Sequence, residues 1–476
     1  MIAILKIAFV NLGDGISKNE YPQLGLLYLS SIARQKGHIV DFLDCTAKRQ
    51  TTQSILREVL EFKPDICGFS LYTQGLRLQY QFIKHVKRYI PGCLIFVGGP
   101  HASALPERTI EECKEIDYLI FGEGEVTFAE LTEAIQEKEK AEHINGICYR
   151  LGEKVIQNKH RKLIADLDSI PFAAYDLIYA KGYQYHNRKM EIGGKIAPMI
   201  SSRGCPWNCA FCYKGTFGRT YRRRSPENVV GEIRMLVEKY GVNDITFVDD
   251  LFAVNRRWLR QFCVRLKESN IFIPWKCLGR VDTLNSEDMT MMRDHGCYGI
   301  EFGVESGNQE VLDDINKKIT VPQVKRAFKT AKDSGLMTAA YFIFGNRLDT
   351  KKSIFQTMEL AKEIKPDFAG FAVLLPFPGT KVYQMLDESI KHKWELYGSY
   401  YGYRHSISIC SVDAKDLQEF GKQASPEYYG GIHYLVDNIL LSKHSLKIKM
   451  YQVLFFGYFF LQNLLLKIKN KRIFCR

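Results

Sequence analysis

The sequence predicts an α/β protein with two successive parallel-sheet modules and a mostly helical C-terminal region. Short apolar runs alternate with amphipathic stretches over the first 125 residues, and the same alternation resumes at Ala197 and continues to Leu375. Strands that alternate with helices of about 10–15 residues are typical of right-handed βαβ units around a parallel sheet. The length of 476 residues allows about two to four domains. The 46% apolar and 25% charged residues exclude a disordered chain, a collagen-like fibre and a multi-span membrane protein.

The first module, residues 1–140, is predicted to be a five-stranded parallel sheet with a ligand at one edge. Its predicted strands are Leu5–Leu12, Ile39–Cys45, Ile66–Leu71, Leu94–Gly99 and Tyr118–Gly122, and helices are predicted at Leu24–Lys36, Thr52–Phe62 and Leu78–Tyr89. Several of these strands end in glycine-rich or hydroxyl-bearing turns, at 70–73, 98–101 and 122–125. Ligands of open α/β sheets bind beyond the carboxyl ends of the strands, so we expect one there.

Residues 141–192 are predicted to be a linker that contains a β-hairpin, with its turn at Gly152 and Glu153. A second βα series then fills residues 193–390. Its predicted strands are Ala197–Arg203, Asp244–Asp249, Trp275–Arg280, Gly299–Glu305, Ala339–Gly345 and Phe368–Leu375. Six such units indicate a partial (β/α) barrel, whose chemistry would lie at the C-terminal ends of its strands. Residues 391–476 form the C-terminal region.

The most specific motif is a group of three cysteines, Cys205, Cys209 and Cys212, in the loop after the first barrel strand. Three thiolates in this C-x3-C-x2-C spacing can hold three irons of a cubane [4Fe–4S] cluster and leave the fourth iron open. The alternatives are a zinc site, which would normally need a fourth cysteine or histidine, and free thiols. The 13 cysteines are odd in number and scattered, and we see no secretory signal, so we expect a reducing cytoplasm.

These cysteines, with Phe211 before the last of them, resemble the motif of the radical S-adenosylmethionine enzymes. The resemblance implies that the methionyl amine and carboxylate of S-adenosylmethionine chelate the open iron, and that the reduced cluster cleaves the sulfonium to a 5′-deoxyadenosyl radical. The residues expected to bind S-adenosylmethionine are Phe211, Asp249, Asp250, Arg280, Glu305, Ser306 and Gly345.

Each of these positions has a chemical reason. Carboxylates at 249 and 250 suit an ammonium group, although Asp250 is alternatively a helix N-cap. Arg280 can hold a carboxylate through two hydrogen bonds. Glu305 and Ser306 offer acceptors for ribose hydroxyls, and Gly345 permits close approach of the backbone to adenine.

A flavodoxin-like (Rossmann-type) sheet before a partial (β/α)6 TIM-type barrel is similar to the cobalamin-binding subfamily of these enzymes. That subfamily includes class B methyltransferases and the anaerobic magnesium-protoporphyrin ester cyclase. The segments that carry the resemblance are 21–26, 98–101, 121–125 and 201–204. The resemblance implies a cobalamin site made of Ser70, Thr73, Gly98, Gly99, His101, Glu123 and Gly124.

Two questions about this module stay open in the sequence. No Asp-x-His-x-x-Gly motif occurs in the N-terminal third, so His101 is the strand-end histidine that would face the corrin. A hydrogen bond within its loop is the alternative for that residue. The alternative for the whole module is a docking domain that has lost its ligand.

The predicted function is methylation of an unactivated carbon atom in a small-molecule or lipid-like intermediate, through the 5′-deoxyadenosyl radical and methylcobalamin. A flavodoxin or ferredoxin would supply the electron. One alternative within the family is a radical oxidation or cyclisation without methyl transfer. A cobalamin sensor without catalysis is another. The run Arg222-Arg223-Arg224 and the net charge of +13 raise a third alternative, an RNA-modifying enzyme, but no nucleic-acid partner is expected.

The net charge of +13 is concentrated in the tail. Beyond Asp437, the last acidic residue, the chain has eight lysines and arginines, which leaves 13 − 8 = +5 for the first 437 residues. Between these basic groups lies the aromatic-rich segment Met450–Leu466, which is shorter than the ~20 apolar residues of a membrane span. The pattern favours an interfacial helix, with 443–476 on the inner face of the cytoplasmic membrane. A helix packed on the barrel over the substrate cleft is the alternative.

Overall fold

The computed structural model describes residues 4–13, 21–47, 50–183, 185, 194–398, 407–440 and 446–468. The N-terminal sheet has seven strands in the order β2-β1-β3-β4-β5-β6-β7, of which β1 to β5 are parallel. The predicted five-stranded sheet is therefore confirmed. The strands are β1 (Lys6–Asn11), β2 (Ile39–Asp44), β3 (Ile66–Ser70), β4 (Leu94–Gly98), β5 (Tyr118–Ile120), β6 (Ile147–Leu151) and β7 (Lys154–Gln157).

The predicted hairpin is the pair β6 and β7, and it does not stand apart from the sheet. Strand β6 pairs antiparallel with β5, from Tyr118 opposite Tyr149 to Ile120 opposite Ile147, so the N-terminal sheet extends as far as Gln157. The helices of this part are α1 (Leu24–Gln35), α2 (Thr52–Phe62), α3 (Leu76–Tyr89), α4 (Gly99–Ala104), α5 (Pro106–Glu112), α6 (Glu125–Glu137) and α7 (Asp176–Tyr179), with 3₁₀ turns at Ala141–His143 and Leu167–Ser169.

Both faces of the N-terminal sheet are covered, as the continuous apolar strands require. On one face of β1, Ala8 and Val10 belong to an apolar cluster that is separate from the core of the barrel. On the other face, Ile7 and Phe9 belong to an apolar cluster that continues into the barrel. The two modules therefore share one core on this side.

The second module is an open half-barrel of six parallel strands in the order β15-β14-β13-β12-β11-β8. This confirms the six predicted βα units. A separate antiparallel pair, β9 with β10, brackets the loop that carries the three cysteines. The strands are β8 (Ile196–Met199), β9 (Ser202–Arg203), β10 (Arg222–Arg223), β11 (Asp244–Phe247), β12 (Trp275–Gly279), β13 (Cys297–Glu305), β14 (Met337–Phe344) and β15 (Phe368–Val373).

Helices cover the convex face of the half-barrel and begin at well-formed caps. Asn285, Thr320 and Thr350 each close a capping box, which satisfies backbone donors that the first helical turn leaves free. The helices are α8 (Pro226–Tyr240), α9 (Arg256–Glu268), α10 (Ser286–Asp294), α11 (Gln309–Asp314), α12 (Val321–Asp333) and α13 (Lys351–Ile364).

The C-terminal region is mostly helical, as predicted. Its elements are α14 (Lys381–Gln384), α15 (Glu388–Lys391), a 3₁₀ turn at Trp394–Leu396, α16 (Ala414–Tyr429), α17 (Ile432–Tyr434), a π-helical segment Leu435–Leu440, and α18 (Leu446–Ile468). Helix α16 packs on the barrel edge, where the Tyr429 hydroxyl donates to the Ala369 carbonyl oxygen at 2.8 Å. Helix α18 packs on α16, with the Phe459 ring stacked on Tyr429 at 5.1 Å between centroids.

The other face of α18 points away from the protein. Leu454 is 71% exposed and Leu461 is 61% exposed. Among the helices that the structure describes, none combines the length and the apolar character needed to cross a bilayer. Part of the predicted membrane segment, 443–445 and 469–476, lies outside the described residues.

Candidate functional site

A cavity of about 830 Å³ lies between the carboxyl edge of the N-terminal sheet and the cysteine loop of the barrel. It opens beyond β1 and β3, the neighbouring strands at which the strand order reverses and where ligands of such sheets bind. Aromatic and aliphatic side chains line it from the sheet and its helices, among them Phe9, Leu29, Phe69, Phe96 and Phe128. The opposite wall comes from the barrel and includes Arg203, Tyr213, Lys214, Phe217, Val248 and Asp250.

Five of the residues predicted to bind cobalamin line this cavity. They are Ser70, Gly98, Gly99, Glu123 and Gly124. Gly99 adopts φ +90°, and a Cβ atom there would lie 2.5 Å from Ser70 Oγ and 2.9 Å from the Leu71 nitrogen. No side chain fits at this turn, so the backbone of 98–100 is exposed to the cavity.

The other two predicted cobalamin residues, Thr73 and His101, contact each other and are not among the residues that line the cavity. Thr73 Oγ1 lies 2.8 Å from His101 Nδ1, and the Trp394 ring covers the histidine at 4.9 Å between centroids. Burial, with smaller contributions from Arg108 and His392, lowers the pKa of His101 to about 3. His101 is therefore neutral and hydrogen-bonded within its loop, which is the alternative that the sequence left open.

The cysteine loop is held at both ends and in the middle. Arg222 and Arg203 pair across the antiparallel strands at its base. Farther along, the Ala210 nitrogen donates to the Ile315 carbonyl oxygen at 2.9 Å, and the Asn316 side-chain amide donates to the Asn208 carbonyl oxygen at 2.7 Å. These bonds fix the backbone that presents the three thiols.

Lysines and carboxylates both lie near the thiols, with Lys317 and Glu305 near Cys209 and Lys214 and Asp250 near Cys212. Burial raises the pKa of Cys209 and Cys212, and nearby Lys317 and Lys214 respectively act in the opposite direction. Burial alone would lower the pKa of Lys214, but the Cys212 and Cys205 thiolates and Asp250 raise it to about 12. The ammonium group therefore stays charged beside any anionic centre that the thiols hold.

Among the described residues, no three His, Cys, Asp or Glu side chains converge closely enough to hold a single metal ion.

Two family models match the chain over these two parts of the site. The model for the B12 binding domain matches residues 15–132, and the model for the Radical SAM superfamily matches residues 199–361. An uncharacterized methyltransferase of Pyrococcus horikoshii is 35% identical over 364 residues, which cover 76% of this chain and 78% of that protein. The chain belongs to the cobalamin-dependent radical S-adenosylmethionine enzymes.

The chain is also similar to an ester cyclase and to a methyltransferase of known structure. The anaerobic magnesium-protoporphyrin IX monomethyl ester cyclase of Cereibacter sphaeroides is 27% identical over 399 residues, 81% of this chain and 64% of that protein. The radical S-adenosylmethionine methyltransferase TsrM of Kitasatospora setae, solved with cobalamin and a [4Fe–4S] cluster, superposes with a TM-score of 0.66 at 18% identity. That superposition covers 80% of this chain and 74% of TsrM, and it shows the shared fold.

The cofactors of the family are a [4Fe–4S] cluster, S-adenosylmethionine and cobalamin, and the residues present fit them. Three cysteine thiols project from one braced loop, the turn at Gly99 leaves a cradle without side chains, and the cavity walls beneath it are apolar. One buried carboxylate oxygen near the cysteine loop, Asp249 Oδ2, has no hydrogen-bond partner among the described residues.

Asp249 lies at the end of β11 and is almost completely buried. Its Oδ1 accepts hydrogen bonds from the Ser201 nitrogen at 3.0 Å, from Ser201 Oγ at 2.8 Å and from Ser202 Oγ at 2.6 Å. Burial outweighs these bonds and raises the pKa of Asp249 to about 6. The free Oδ2 is thus an acceptor with no internal donor.

Asp250 lines the cavity, and its Oδ2 accepts a hydrogen bond from the Gly204 nitrogen at 3.1 Å. It does not cap a helix, because α9 begins at Arg256 and Asn255 caps it. The N-cap alternative for Asp250 was therefore wrong, and this carboxylate instead holds the start of the cysteine loop.

Arg280 holds a carboxylate through two hydrogen bonds, as expected of it, but the carboxylate is that of Asp282 in the same chain. The two distances are 2.8 and 2.9 Å. Arg280 also donates to the Lys317 carbonyl oxygen at 2.9 Å and lies over the Trp207 ring of the cysteine loop at 4.4 Å. In this structure its contacts are therefore to the protein itself, and they brace the cysteine loop.

Glu305 and Ser306 lie at the end of β13. Glu305 has φ +71°, which is unusual for a residue with a side chain, and its carboxylate pairs with the Lys317 ammonium group at 2.6 Å. Ser306 Oγ lies 3.3 Å from Thr357 Oγ1 and accepts from the Asn308 nitrogen at 3.2 Å. The strained backbone at Glu305 is held in place by this ion pair.

Gly345 ends β14 with φ +90°, and its nitrogen donates to Asp349 Oδ2 at 2.9 Å. A Cβ atom at this position would lie 3.0 Å from a methyl group of Leu417, so the turn leaves little room for a side chain. Phe211 is half-buried and packs against the apolar core of the barrel.

Several residues of the site were not singled out from the sequence. Lys214 and Lys317 stand near the thiols, and Arg203 and Glu125 form a buried pair across the two modules at 2.5 Å. The signal for Arg203 and Glu125 was their place inside segments 201–204 and 121–125, which carry the resemblance to the family. Nothing in the sequence indicated that Lys317 belongs to the site, because its partner Glu305 lies in a different element.

Proposed function

We propose that this enzyme transfers a methyl group to an unactivated carbon atom of a small-molecule or lipid-like intermediate. The observation that carries the proposal is a cavity lined by the sheet edge of the B12 binding domain on one side and by Tyr213, Lys214 and Phe217 of the cysteine loop on the other. The bound cofactors would supply a carbon-centred radical and a methyl group to a substrate between them.

The residues of the chain would bind, orient and shield. We propose that Cys205, Cys209 and Cys212 hold the cluster, and that the free Asp249 Oδ2 accepts a hydrogen bond from the methionyl ammonium group. The remaining S-adenosylmethionine contacts are proposed for Phe211, Asp250, Arg280, Glu305, Ser306 and Gly345. The cobalamin contacts are proposed for Ser70, Gly98, Gly99, Glu123 and Gly124, whose positions on the cavity wall support them.

Exclusion of water is the second task of the site. The sheet side of the cavity is built largely from phenylalanine, leucine and glycine, whose apolar surfaces would keep water away from the reacting groups. Lys214 lies near Cys212 and Lys317 near Cys209, and each opposes the effect of burial on the pKa of that thiol.

The test needs no substrate. The reconstituted enzyme, with reduced cobalamin bound, is incubated anaerobically with S-adenosylmethionine labelled in its methyl group. A methyltransferase is expected to place the label on the cobalamin, as followed by mass spectrometry. If the label stays on S-adenosylmethionine while 5′-deoxyadenosine still forms, methyl transfer is wrong and the alternative of oxidation or cyclisation holds. The 27% identity to the ester cyclase is the observation that supports this alternative.

We infer that the substrate or its source is reached at a membrane surface on the cytoplasmic side. Support comes from the exposed apolar face of α18 and from the eight basic and no acidic residues beyond Asp437. Helix α18 also packs on α16, and this contact leaves its other face available for a lipid surface. A flavodoxin or ferredoxin is the proposed electron donor.

A further inference from the structure

Four charged side chains form a buried cluster between the two modules, which we call the arginine–glutamate cluster: Arg203, Arg222, Glu123 and Glu125. Arg203 donates to Glu123 Oε1 at 3.1 Å and to Glu125 Oε1 at 2.5 Å. Arg222 donates to both carboxylate oxygens of Glu123 at 2.9 Å. None of the four side chains is more than 9% exposed.

The two arginines occupy a special place in the barrel. They pair with each other across β9 and β10, the two short strands from which the cysteine loop 204–221 emerges. Cys205 follows Arg203 by two residues. Arg222 also donates to the Phe217 carbonyl oxygen at 2.9 Å, inside the loop itself. Displacement of either arginine would therefore move the base of the loop that carries the thiols.

The two glutamates occupy an equally special place in the N-terminal module. Glu123 lies in the turn between β5 and α6, and Glu125 is the first residue of α6. Both residues and Gly124 line the cavity, as does Arg203. A large ligand in the cavity would press on this turn. Glu123, Glu125 and Arg203 thus line the cavity, and Arg203 and Arg222 stand at the base of the cysteine loop.

Buried ion pairs transmit small displacements efficiently. In a desolvated setting the attraction between opposite charges falls steeply with distance, and water does not replace the lost partner. A single nitrogen of Arg222, Nη1, donates to both carboxylate oxygens of Glu123, and Nη2 donates to the Phe217 carbonyl oxygen. The cluster therefore joins the cavity wall to the base of the cysteine loop through buried charge contacts.

We propose that Glu123 and Glu125 are positioning residues that couple occupation of the cavity by cobalamin to the formation of the iron–sulfur cluster on the cysteine loop. Each ligand then raises the affinity of the enzyme for the other by the same factor, since coupling between binding sites is reciprocal. The inference rests on the cofactor assignment of the proposed function and not on methyl transfer. A negative result in the label experiment leaves it standing.

The test compares affinities for hydroxocobalamin. The full-length chain, with its cluster either reconstituted or removed, is titrated anaerobically and the dissociation constant is read from the cobalamin absorbance. For the natural sequence we expect tighter binding to the cluster-loaded form by about 5-fold or more. For Glu123→Gln we expect the ratio of the two dissociation constants to fall below about 2-fold.

A matched control is Glu130→Gln. Glu130 lies on α6 and also pairs with an arginine, Arg161, but its side chain is 42% exposed and it is not among the residues that line the cavity. It should keep the ratio of the natural sequence. Two results would overturn the proposal. One is equal affinity of the cluster-loaded and the cluster-free natural protein for hydroxocobalamin. The other is a Glu123→Gln variant that is less stable but keeps the ratio of dissociation constants of the natural sequence. The first needs no variant, so a chain that fails to fold does not prevent a decision.

Discussion

The Lys276 ammonium group lies 2.7 Å from Glu301 Oε1 on the concave side of the half-barrel, and Lys276 is fully buried. The Tyr341 hydroxyl donates to Glu301 Oε2 at 2.6 Å, so both carboxylate oxygens are used. Burial alone would lower the pKa of Lys276, but Glu301 and Tyr21 reverse this and raise it above its ordinary value. Tyr21 comes from the N-terminal module, so this pair also ties the two modules together.

Removal of one partner of this pair should be costly. Lys276→Met leaves the Glu301 charge buried without its counter-charge, and we expect a loss of about 3–5 kcal/mol in the free energy of unfolding. Urea denaturation of the cofactor-free chain measures it. Lys329→Met removes an exposed pair with Asp333 on α12 and should cost less than about 1 kcal/mol. Similar losses in the two variants would contradict the assignment of Lys276 as a buried charge.

Asp249 should make stability depend on pH. Its pKa of about 6 in the folded chain lies above the ordinary 3.8, so ionisation disfavours folding. The penalty is absent below the ordinary pKa, grows between the two values, and is complete above pH 6. Relative to Asp249→Asn, the natural chain should therefore gain about 1 kcal/mol as the pH falls from about 7.5 to about 5. Parallel pH profiles of the two chains, measured without cofactors, would show that Asp249 has an ordinary pKa.

Gly204 should be intolerant of any side chain. It has φ +84°, and a Cβ atom there would lie 2.3 Å from the Thr220 carbonyl oxygen across the base of the cysteine loop. Gly204→Ala should therefore lower the iron content after reconstitution by about half or more, because the loop must shift. Gly152→Ala has a similar φ of +60° but no atom within 4 Å of the added carbon. A loss of iron in Gly152→Ala as large as that in Gly204→Ala would point to backbone strain in general.

The exposed face of α18 should bind lipid. We expect the full chain to sediment with vesicles that contain phosphatidylglycerol and to leave neutral phosphatidylcholine vesicles unbound. The double variant Leu454→Glu/Leu461→Glu should weaken this binding by about 10-fold or more, since each leucine would otherwise be buried in the bilayer. Val264→Glu, at a 50% exposed position on α9, is the control. Equal binding of all three chains to anionic vesicles would exclude α18 as the contact.

The architecture was readable from the sequence because it depends on local patterns. Strand β3 was predicted as Ile66–Leu71 and is Ile66–Ser70, and the six barrel strands appear in the predicted order. The three cysteines share one loop, so their grouping needed no knowledge of the fold. The strand-end turn at Gly99 also follows local rules, since only glycine adopts φ +90° without strain.

The partners of charged residues could not be read in this way. Glu123 pairs with Arg203, 80 residues away, and nothing in the spacing of either residue specifies the other. Arg280 was expected to bind a ligand carboxylate, but Asp282 two residues along the same strand end takes that place. His101 was placed at the cavity because it ends a strand, whereas Trp394 from the C-terminal region covers it. Such pairings depend on tertiary packing.

The partners of the three arginines at 222–224 could not be predicted from the sequence either. As a run of three arginines it raised the alternative of nucleic-acid binding, yet Arg222 is paired with Glu123 and Arg224 with Glu232, and both are buried. Only Arg223 of the three is exposed. The run is part of the base of the cysteine loop, and its charges are used inside the protein.

The most direct test of the account is the formation of 5′-deoxyadenosine by the natural chain and by Cys209→Ser. Both proteins are reconstituted anaerobically with iron and sulfide, loaded with cobalamin, and supplied with S-adenosylmethionine and a strong reductant. We predict that the natural chain forms 5′-deoxyadenosine and that Cys209→Ser forms less than about one hundredth as much. Cys263→Ser, a buried thiol on α9 outside the site, should retain activity. Production by Cys209→Ser at the level of the natural chain would contradict the central claim that these three cysteines hold the catalytic cluster.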